Sequence, residues 1–252
     1  MNNGKICVSV CAKTADELIE QIKRAEDLAD VIEIRFDCLD ESEFHRALPK
    51  ADKLNCSKPF LATFRPKNPN AELHIGKRIF NVEKEEVDKA LDYRFNGWEK
   101  IFDLENVEYL DFEEDLLVGL ALPNDSVDEF SLFVFSETGE RKALSHQIIF
   151  SEHIFNLEEI DLEKFGGLSK FLEGIYEFML KEDYESQLAK NEKRNDIIKI
   201  AVQTNDLPDT IPIWHLLKRA KSKKKGIIPI AMGESGKWTR ILGLAHGAFM
   251  TY

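Results

Sequence analysis

Short apolar runs alternate with amphipathic stretches along most of this chain. The clearest amphipathic stretch follows the first run, where Leu18, Ile22 and Ala25 recur at the helical period. Thr14 is expected to cap this helix, with Glu17 completing a capping box. The apolar runs have the length of buried strands. We predict strands at Lys5–Val10, Val31–Phe36, Pro59–Phe64, Lys100–Leu104, Leu116–Ala121, Gln147–Phe150, Ile197–Val202, Ile227–Ala231 and Gly247–Thr251.

Further helices are predicted at Val82–Tyr93, Leu157–Lys181 and Ile211–Lys224. Repeated alternation of strands and helices favours a parallel sheet. Eight or nine strands in 252 residues fit an α/β fold of the (β/α)8 TIM barrel type, as a single domain over residues 1–252. The alternative is a doubly wound open sheet. Such a sheet usually has a glycine-rich turn after its first strand, and the sequence from Cys11 to Thr14 contains no glycine.

Composition narrows the class of protein. The net charge of −12 argues against general nucleic-acid binding. Apolar runs of about 18 residues, which a membrane-spanning helix needs, are missing from the sequence, and the N-terminus does not read as a signal peptide. We therefore expect a cytoplasmic protein. The four cysteines contain no C-x-x-C pair, so neither a disulfide framework nor a zinc site is predicted.

Polar residues fall where the predicted strands end, which is where (β/α)8 barrels carry their functional residues. Glu33, Arg35 and Asp37 alternate with apolar residues and are expected on one face, binding ligand and pairing with one another. The remaining strand-end residues are Arg65, Asp103, Glu105, His153 and Arg240. Arginine at such sites suits a carboxylate ligand, because its planar guanidinium donates two parallel hydrogen bonds.

Lys199 lies between isoleucines in an apolar run, where its charged form would lose solvation. A lysine at such a position can be paired with a core carboxylate or reach the rim, and a lone histidine is more often structural than catalytic. The coexistence of Lys199 and His153 with several strand-end arginines favours chemistry instead. A neutral amine attacks carbonyls and an imidazole moves protons, so the pair indicates imine chemistry on a ketone.

Two other features are interpreted as structural. The acidic cluster from Asp111 to Asp115 is predicted to be a solvated turn. The other histidines show no spacing typical of metal ligands, so no metal site is predicted.

Taken in order, six segments resemble type I 3-dehydroquinate dehydratase, a (β/α)8-barrel enzyme of the shikimate pathway. Each segment is modest alone, but the ordered set covers most of the chain. The most specific part is Lys-Ile-Ala followed by Met-Gly-x-x-Gly-x-x-x-Arg. The segments are Val31–Asp37, Ala62–Arg65, Ile101–Glu105, Phe150–His153, Ile198–Ala201 and Ala231–Arg240.

The resemblance implies a role for each matched residue. Lys199 would form a Schiff base with the ketone of 3-dehydroquinate, and His153 would remove the adjacent proton and protonate the departing hydroxyl. Arg240 would hold the substrate carboxylate, and Asp103 would tune the charge around the lysine. No metal or organic cofactor is implied, because the imine is itself the electron sink. Ring hydroxyls would be held by Glu33, Arg35 and Arg65.

The chain departs from the family pattern in three places. The family glutamate four residues after Arg65 is replaced by Pro69, and Glu72 is the candidate substitute. Residues 116–143 and 157–192 are longer than the family needs and suggest extra helical or hairpin elements. After Tyr252 the family continues with a substrate-covering loop and a last helix. We therefore expect a barrel that lacks the last helix, trimmed at the eighth strand or belonging to a bifunctional protein.

The leading interpretation is thus a lyase that acts on 3-dehydroquinate, a small molecule, with no nucleic-acid or membrane partner. The resemblance suggests a homodimer, and a fused or separate shikimate dehydrogenase as a partner. One alternative is a class I aldolase-type enzyme, which also uses a lysine imine but needs a phosphate site. The other is a degenerate barrel that binds without catalysis.

Overall fold

A computed structural model describes residues 4–65, 96–113, 133–135, 141–143, 146–155, 157–190 and 197–252. The chain forms two compact units. We call Val8–His146 the N-terminal unit, and Met1–Cys7 together with Gln147–Tyr252 the C-terminal unit. The predicted helix Val82–Tyr93 and the predicted strand Leu116–Ala121 lie outside the described residues.

In the residues that the structure describes, the N-terminal unit contains three mutually paired parallel strands and two well-formed helices. Strand β2 pairs with β3, and β3 pairs with β4, all in parallel. Residues 96–101 are also helical, and two short strands pair antiparallel, as expected for a hairpin in the long segment 116–143. The elements are α1 Ala15–Glu26, β2 Val31–Arg35, α2 Glu41–Asp52, β3 Phe60–Thr63, β4 Val107–Glu113, β5 Phe133–Phe135 and β6 Arg141–Ala143.

Helix α1 begins as its sequence predicts. The Thr14 hydroxyl accepts a hydrogen bond from the main-chain N–H of Glu17, so Thr14 is the N-cap. The Glu17 carboxylate accepts from the N–H of Lys13, one residue before the position that a capping box uses. Buried residues from Ala15 to Ala25 form the apolar stripe that packs the helix onto the unit.

The C-terminal unit is built on parallel strands covered by helices. Strand β7 pairs with β8, and β8 pairs with β9. Strand β1, Lys5–Val10, begins in this unit, where Lys5 and Ile6 pair in parallel with β10. The other elements are β7 Gln147–Ile154, α3 Leu162–Phe165, α4 Leu168–Lys190, β8 Ile197–Gln203, α5 Ile211–Lys223, β9 Gly226–Met232, α6 Lys237–His246 and β10 Met250–Thr251.

Strands β8 and β9 have one wholly apolar face. In β8 this face carries Ile198, Ile200 and Val202, all of them buried. A wholly apolar face suits a sheet that lies under helices, and α4 and α5 supply buried Leu172 and Leu216 to this packing. The polar residues of β8, Lys199 and Gln203, therefore lie on its other face.

Several predicted boundaries are wrong. Lys100–Leu104 is not a strand, because residues 96–101 are helical and the next strand is Val107–Glu113. The predicted helix Leu157–Lys181 is interrupted by Gly166 and Gly167, both at positive φ, and its second part continues to Lys190. The periodicity of a short apolar run fits a helix as well as a strand. This explains why Lys100–Leu104 was wrongly predicted to be a strand.

Candidate active site

In the N-terminal unit, the carboxyl ends of β2–β4 hold a cluster of acids and arginines. Strand register aligns Arg35 with Thr63, and Thr63 with Asp111, so these side chains share one face. Glu33 lies on that face two residues before Arg35. Glu33 and Asp111 are only 4% and 2% exposed. Carboxylates buried so deeply need hydrogen-bond or charged partners.

Each buried carboxylate of this cluster has such a partner. The Thr63 hydroxyl donates to Glu33 Oε1 at 2.7 Å, and Arg65 donates to Asp111 Oδ2 at 3.2 Å. Arg35 donates to both oxygens of Asp37 at 2.9 and 2.6 Å. Burial opposes the charge of Arg35, but these bonds to Asp37 outweigh it and raise the pKa of Arg35. The predicted mutual pairing is thus found for Arg35 and Asp37.

The predicted position of Asp37 is wrong in one detail. Strand β2 ends at Arg35, and Asp37 lies in the short turn Phe36–Cys38 rather than on the strand. The turn brings the Asp37 carboxylate onto the Arg35 guanidinium. The ion pair therefore joins the end of the strand to the turn and does not lie along the strand face.

In the C-terminal unit, β7 and β8 present a second group of polar side chains on one face. Register pairs Ser151 with Lys199 and His153 with Ala201. Alternate residues of a strand share a face, so Ser151, His153 and Lys199 lie on the same side of the sheet. Lys199 is only 4% exposed and Ser151 is fully buried. The ring of His153 stacks on Phe155, with ring centroids 6.0 Å apart.

The position of His153 also differs from the prediction. It was expected to follow a strand ending at Phe150, but β7 continues to Ile154 and includes it. The backbone of His153 is therefore held by the sheet on the β8 side, which fixes the ring relative to Lys199 more firmly than a loop would.

The amine of Lys199 contacts Tyr252, a residue that the sequence analysis did not select. Lys199 Nζ donates a hydrogen bond to Tyr252 Oη at 3.2 Å and lies 4.5 Å from the centroid of the phenol ring. Tyr252 directly follows the short strand β10.

Arg240 lies in the first turn of α6, just after β9. A Cβ on Gly236 would lie 2.3 Å from the carbonyl oxygen of Ala231, so only glycine allows the helix to begin this close to the strand. Gly233, at φ +89°, shapes the same turn. Arg240 Nε is buried and has no hydrogen-bond partner among the described residues.

Of the two predicted supporting residues, one is misplaced by the prediction and the other lies outside the described residues. Asp103 lies in a turn before β4, at the amino end of a strand whose carboxyl end carries Asp111, so its predicted strand-end position is wrong. Glu72 and Pro69 lie outside the described residues. The interpretation of Asp111 as part of a solvated turn is also wrong, since Asp111 is a buried strand residue.

Thr63, Asp111, Ser151 and Tyr252 are the residues that the sequence analysis missed. Asp111 had a signal that could have been used: it lies between apolar Leu110 and Phe112 in the run Val107–Phe112, which has strand character. The other three carry no distinctive local pattern.

A disulfide joins Cys11 and Cys38, contrary to the prediction of no disulfide framework. These cysteines follow β1 and β2, so their contact depends on the neighbouring strand ends rather than on a sequence motif. Cys38 is next to Asp37, so the disulfide tethers the turn that holds the Arg35–Asp37 pair.

Two further findings concern the part of the chain that the structure describes. Within it, His, Cys, Asp and Glu side chains do not form a group of three or more that could hold a metal ion. Its helices include none that combines the length and apolar character needed to cross a membrane.

Comparison with known proteins decides the family. A family model described as type I 3-dehydroquinase matches residues 6–159 and 176–252. The chain belongs to the type I 3-dehydroquinase family. The resemblance that the ordered motifs indicated is therefore confirmed, and so is the predicted enzyme class at the level of this family.

Relatives of this type I 3-dehydroquinase come from archaea and plants. A 3-dehydroquinate dehydratase of Methanococcus maripaludis strain S2 is 24% identical over 251 residues, covering 98% of this chain and 88% of the relative. The chloroplastic bifunctional 3-dehydroquinate dehydratase/shikimate dehydrogenase of Arabidopsis thaliana is 23% identical, and the match covers 100% of this chain and 33% of that protein.

Solved structures confirm the predicted (β/α)8 TIM-barrel fold. The type I 3-dehydroquinate dehydratase of Clostridium difficile, determined with covalently modified comenic acid, has a TM-score of 0.62 at 19% identity and covers 100% of this chain and 84% of its own. The 3-dehydroquinate dehydratase of Geobacillus kaustophilus has a TM-score of 0.63 at 17% identity, covering 99% and 81%.

Proposed function

We propose that this type I 3-dehydroquinase dehydrates 3-dehydroquinate to 3-dehydroshikimate through a Schiff base on Lys199, with His153 as the acid and base. The observation that carries the proposal is the shared face of β7 and β8. There a buried lysine amine and a histidine lie on two paired strands, two residues apart in register. Family membership supports the reaction, and this arrangement supports the residues assigned to it.

Lys199 supplies the nucleophile. Its amine attacks the substrate ketone, and loss of water gives a protonated imine. The imine withdraws electrons from the neighbouring carbon and so makes its C–H bond acidic. No separate cofactor is required for this step, because the covalent imine is the electron sink.

His153 performs the proton transfers. Its imidazole removes the acidified proton and then protonates the hydroxyl that leaves from the next carbon. Register places His153 two residues nearer than Lys199 to the carboxyl ends of the strands. The imidazole can therefore reach a carbon next to the imine, while the amine holds the imine carbon itself.

Binding of the substrate is assigned to the arginines and to Glu33. Arg240 is the proposed carboxylate ligand, supported by the buried Nε that lacks a partner among the described residues. Glu33, Arg35 and Arg65 are proposed to hold ring hydroxyls. The Asp111 carboxylate accepts a hydrogen bond from Arg65 and so holds its guanidinium in place. Glu72 remains a predicted supporting residue.

Borohydride trapping tests the proposal. The protein is incubated with 3-dehydroquinate and reduced, and the modified peptide is identified by mass spectrometry. We expect a stable adduct on Lys199. Lys199→Met is the matched control, because methionine fills the buried site without an amine. Release of 3-dehydroshikimate, followed by its ultraviolet absorbance, reports turnover in the same samples.

The outcomes separate the alternatives. An adduct on Lys199 with turnover supports the dehydratase. Binding of 3-dehydroquinate by calorimetry without adduct or turnover, in protein with a cooperative thermal transition, would overturn it in favour of the degenerate binding barrel. An adduct on a different lysine would overturn the assignment to Lys199.

Assembly and location are also proposals. We propose a homodimer, and a fused or separate shikimate dehydrogenase as the partner; the bifunctional Arabidopsis relative supports the latter. Light scattering on purified protein tests the dimer.

We propose a cytoplasmic location, although a disulfide such as Cys11–Cys38 is typical of oxidising compartments. Alkylation of free thiols in intact cells, followed by mass spectrometry, shows whether this disulfide persists there.

A further inference from the structure

We infer that Tyr252 is a catalytic residue that transfers protons during formation and hydrolysis of the Lys199 imine. The inference rests on the proposed function, because it assigns a second acid–base group to the same amine. It starts from one contact in the C-terminal unit: the Tyr252 hydroxyl lies 3.2 Å from Lys199 Nζ.

The position of Tyr252 is fixed by the sheet. Met250 pairs with Lys5, and Thr251 pairs with Ile6, so β10 is anchored just before the tyrosine. On its other side, the N–H of Phe249 donates to the carbonyl of Ile227 in β9 at 2.8 Å. Lys199 itself is aligned with Ile228, the next residue of β9. The amine and the phenol are thus brought together by backbone pairing on both sides.

Imine formation needs proton transfers at the carbonyl oxygen and at the amine nitrogen. When the neutral amine attacks, a C–N bond forms and the carbonyl electron pair moves onto oxygen. Tyr252 gives its proton to that oxygen, and the phenolate takes one from the attached nitrogen, leaving a neutral carbinolamine and an intact phenol. A second proton from Tyr252 lets the hydroxyl leave as water while the nitrogen lone pair forms the C=N bond.

The products of this step are a protonated imine and a phenolate, which balance in charge. The geometry suits both the protonated imine and the phenolate. The hydroxyl is within hydrogen-bond distance of the nitrogen, and the ring centroid lies 4.5 Å from it. A cation at that distance from an aromatic face is stabilised by the ring quadrupole. The same groups acting in reverse hydrolyse the product imine.

Division of labour follows from this assignment. Tyr252 acts at the nitrogen, and the elimination at the neighbouring carbons depends on His153. Removing the Tyr252 hydroxyl should slow covalent attachment and release, whereas removing the His153 imidazole should slow the elimination between them.

The test is the rate of borohydride trapping in Tyr252→Phe, which keeps the ring and removes only the hydroxyl. Timed reduction at saturating 3-dehydroquinate gives the rate constant for adduct formation on Lys199. We expect this rate to fall by at least about tenfold, given that a positioned acid or base contributes roughly 10²–10⁴-fold. KM and the thermal midpoint should stay within about twofold and a few degrees of wild type.

Tyr176→Phe is the matched control, because it removes a buried tyrosine hydroxyl that has no partner among the described residues. It should trap at the wild-type rate. A second measurement does not depend on removing the hydroxyl. Incorporation of 3-fluorotyrosine at position 252 makes the phenol more acidic with little change in size, and should shift the pH profile of trapping to lower pH.

The outcomes are distinguishable from failure of the proposed function. If wild type forms no adduct on Lys199, the Schiff-base proposal itself fails. The role of Tyr252 is overturned if wild type and Tyr252→Phe form the adduct at equal rates and the fluorinated protein has an unchanged pH profile of trapping. The Schiff-base proposal for Lys199 would then still hold. A slower Tyr252→Phe with unchanged KM supports the role of Tyr252.

Discussion

His153 and Lys199 lie on the same face of two adjacent parallel strands, separated by two residues of register. Lys199 is paired with Ser151, and His153 is paired with Ala201. This relationship fixes the order of the two groups along the strands, with the amine deeper and the imidazole nearer the carboxyl ends. It is the geometry that an imine and an acid–base group for its neighbouring carbon require.

His153→Gln should separate attachment from elimination. We expect the variant to form the Lys199 adduct but to release 3-dehydroshikimate at least about 100-fold more slowly, because a positioned acid–base group contributes 10²–10⁴-fold. Trapping and steady-state turnover measured on the same sample check this. His215→Gln is the control, since His215 is exposed and bonded to Ser169. Unchanged turnover in His153→Gln would remove the histidine from the mechanism.

Arg240→Lys should weaken substrate binding more than it slows the reaction. Lysine keeps the positive charge but lacks the planar fork that binds both oxygens of a carboxylate. We expect KM to rise by about tenfold or more, which corresponds to about 1.4 kcal/mol, with kcat within about threefold of wild type. Arg24→Lys, on the exposed surface of α1, is the control. A lower kcat at unchanged KM would contradict the binding role.

Thr63→Val should destabilise the N-terminal unit by removing the hydroxyl that donates to Glu33. A hydrogen bond to a charged group contributes about 1.5–3 kcal/mol, and the buried carboxylate has little access to water as a replacement. Urea unfolding measures the loss. Thr239→Val is the matched control, because its equally buried hydroxyl donates to the neutral carbonyl of Gly236. The free energy of unfolding of Thr239→Val should fall by less, about 0.5–1.5 kcal/mol.

Glu177 should give the protein a pH-dependent contribution to stability. The hydrogen bond from Lys223, together with one from Arg219, holds the pKa of Glu177 below its ordinary value of 4.5. A carboxylate with a lowered folded pKa stabilises above the unfolded pKa, and this stabilisation is lost as pH falls through the folded pKa. The side chains of Glu177, Lys223 and Arg219 are 39–40% exposed, so solvent screens the attraction between their charges.

The matching variant is Glu177→Gln. We expect it to be less stable than wild type by under about 1 kcal/mol at pH 7, with the difference shrinking as pH falls below 4.5. Urea unfolding at pH 7, 5 and 3 measures this, and a double-mutant cycle with Lys223→Gln isolates the pair. A difference that persists unchanged at pH 3 would assign the effect to packing instead of charge.

Local periodicity was sufficient for much of the architecture. The helix from Ala15 to Glu26, its cap at Thr14 and the strands around Ile34 and Lys199 follow from apolar spacing within a few residues. It failed at Lys100–Leu104, where a short apolar run fits either element. That error also placed Asp103 at a strand end and left Asp111 unrecognised.

The sequence by itself determined which residue types lie at strand ends, and these in their order indicated the family. Only the tertiary structure decided their partners: Asp111 for Arg65, Thr63 for Glu33, Tyr252 for Lys199, and Cys38 for Cys11. The physical reason is that these contacts join residues 27 to 53 positions apart. Strand register and the packing of whole elements bring them together, and neither is encoded in the spacing of nearby residues.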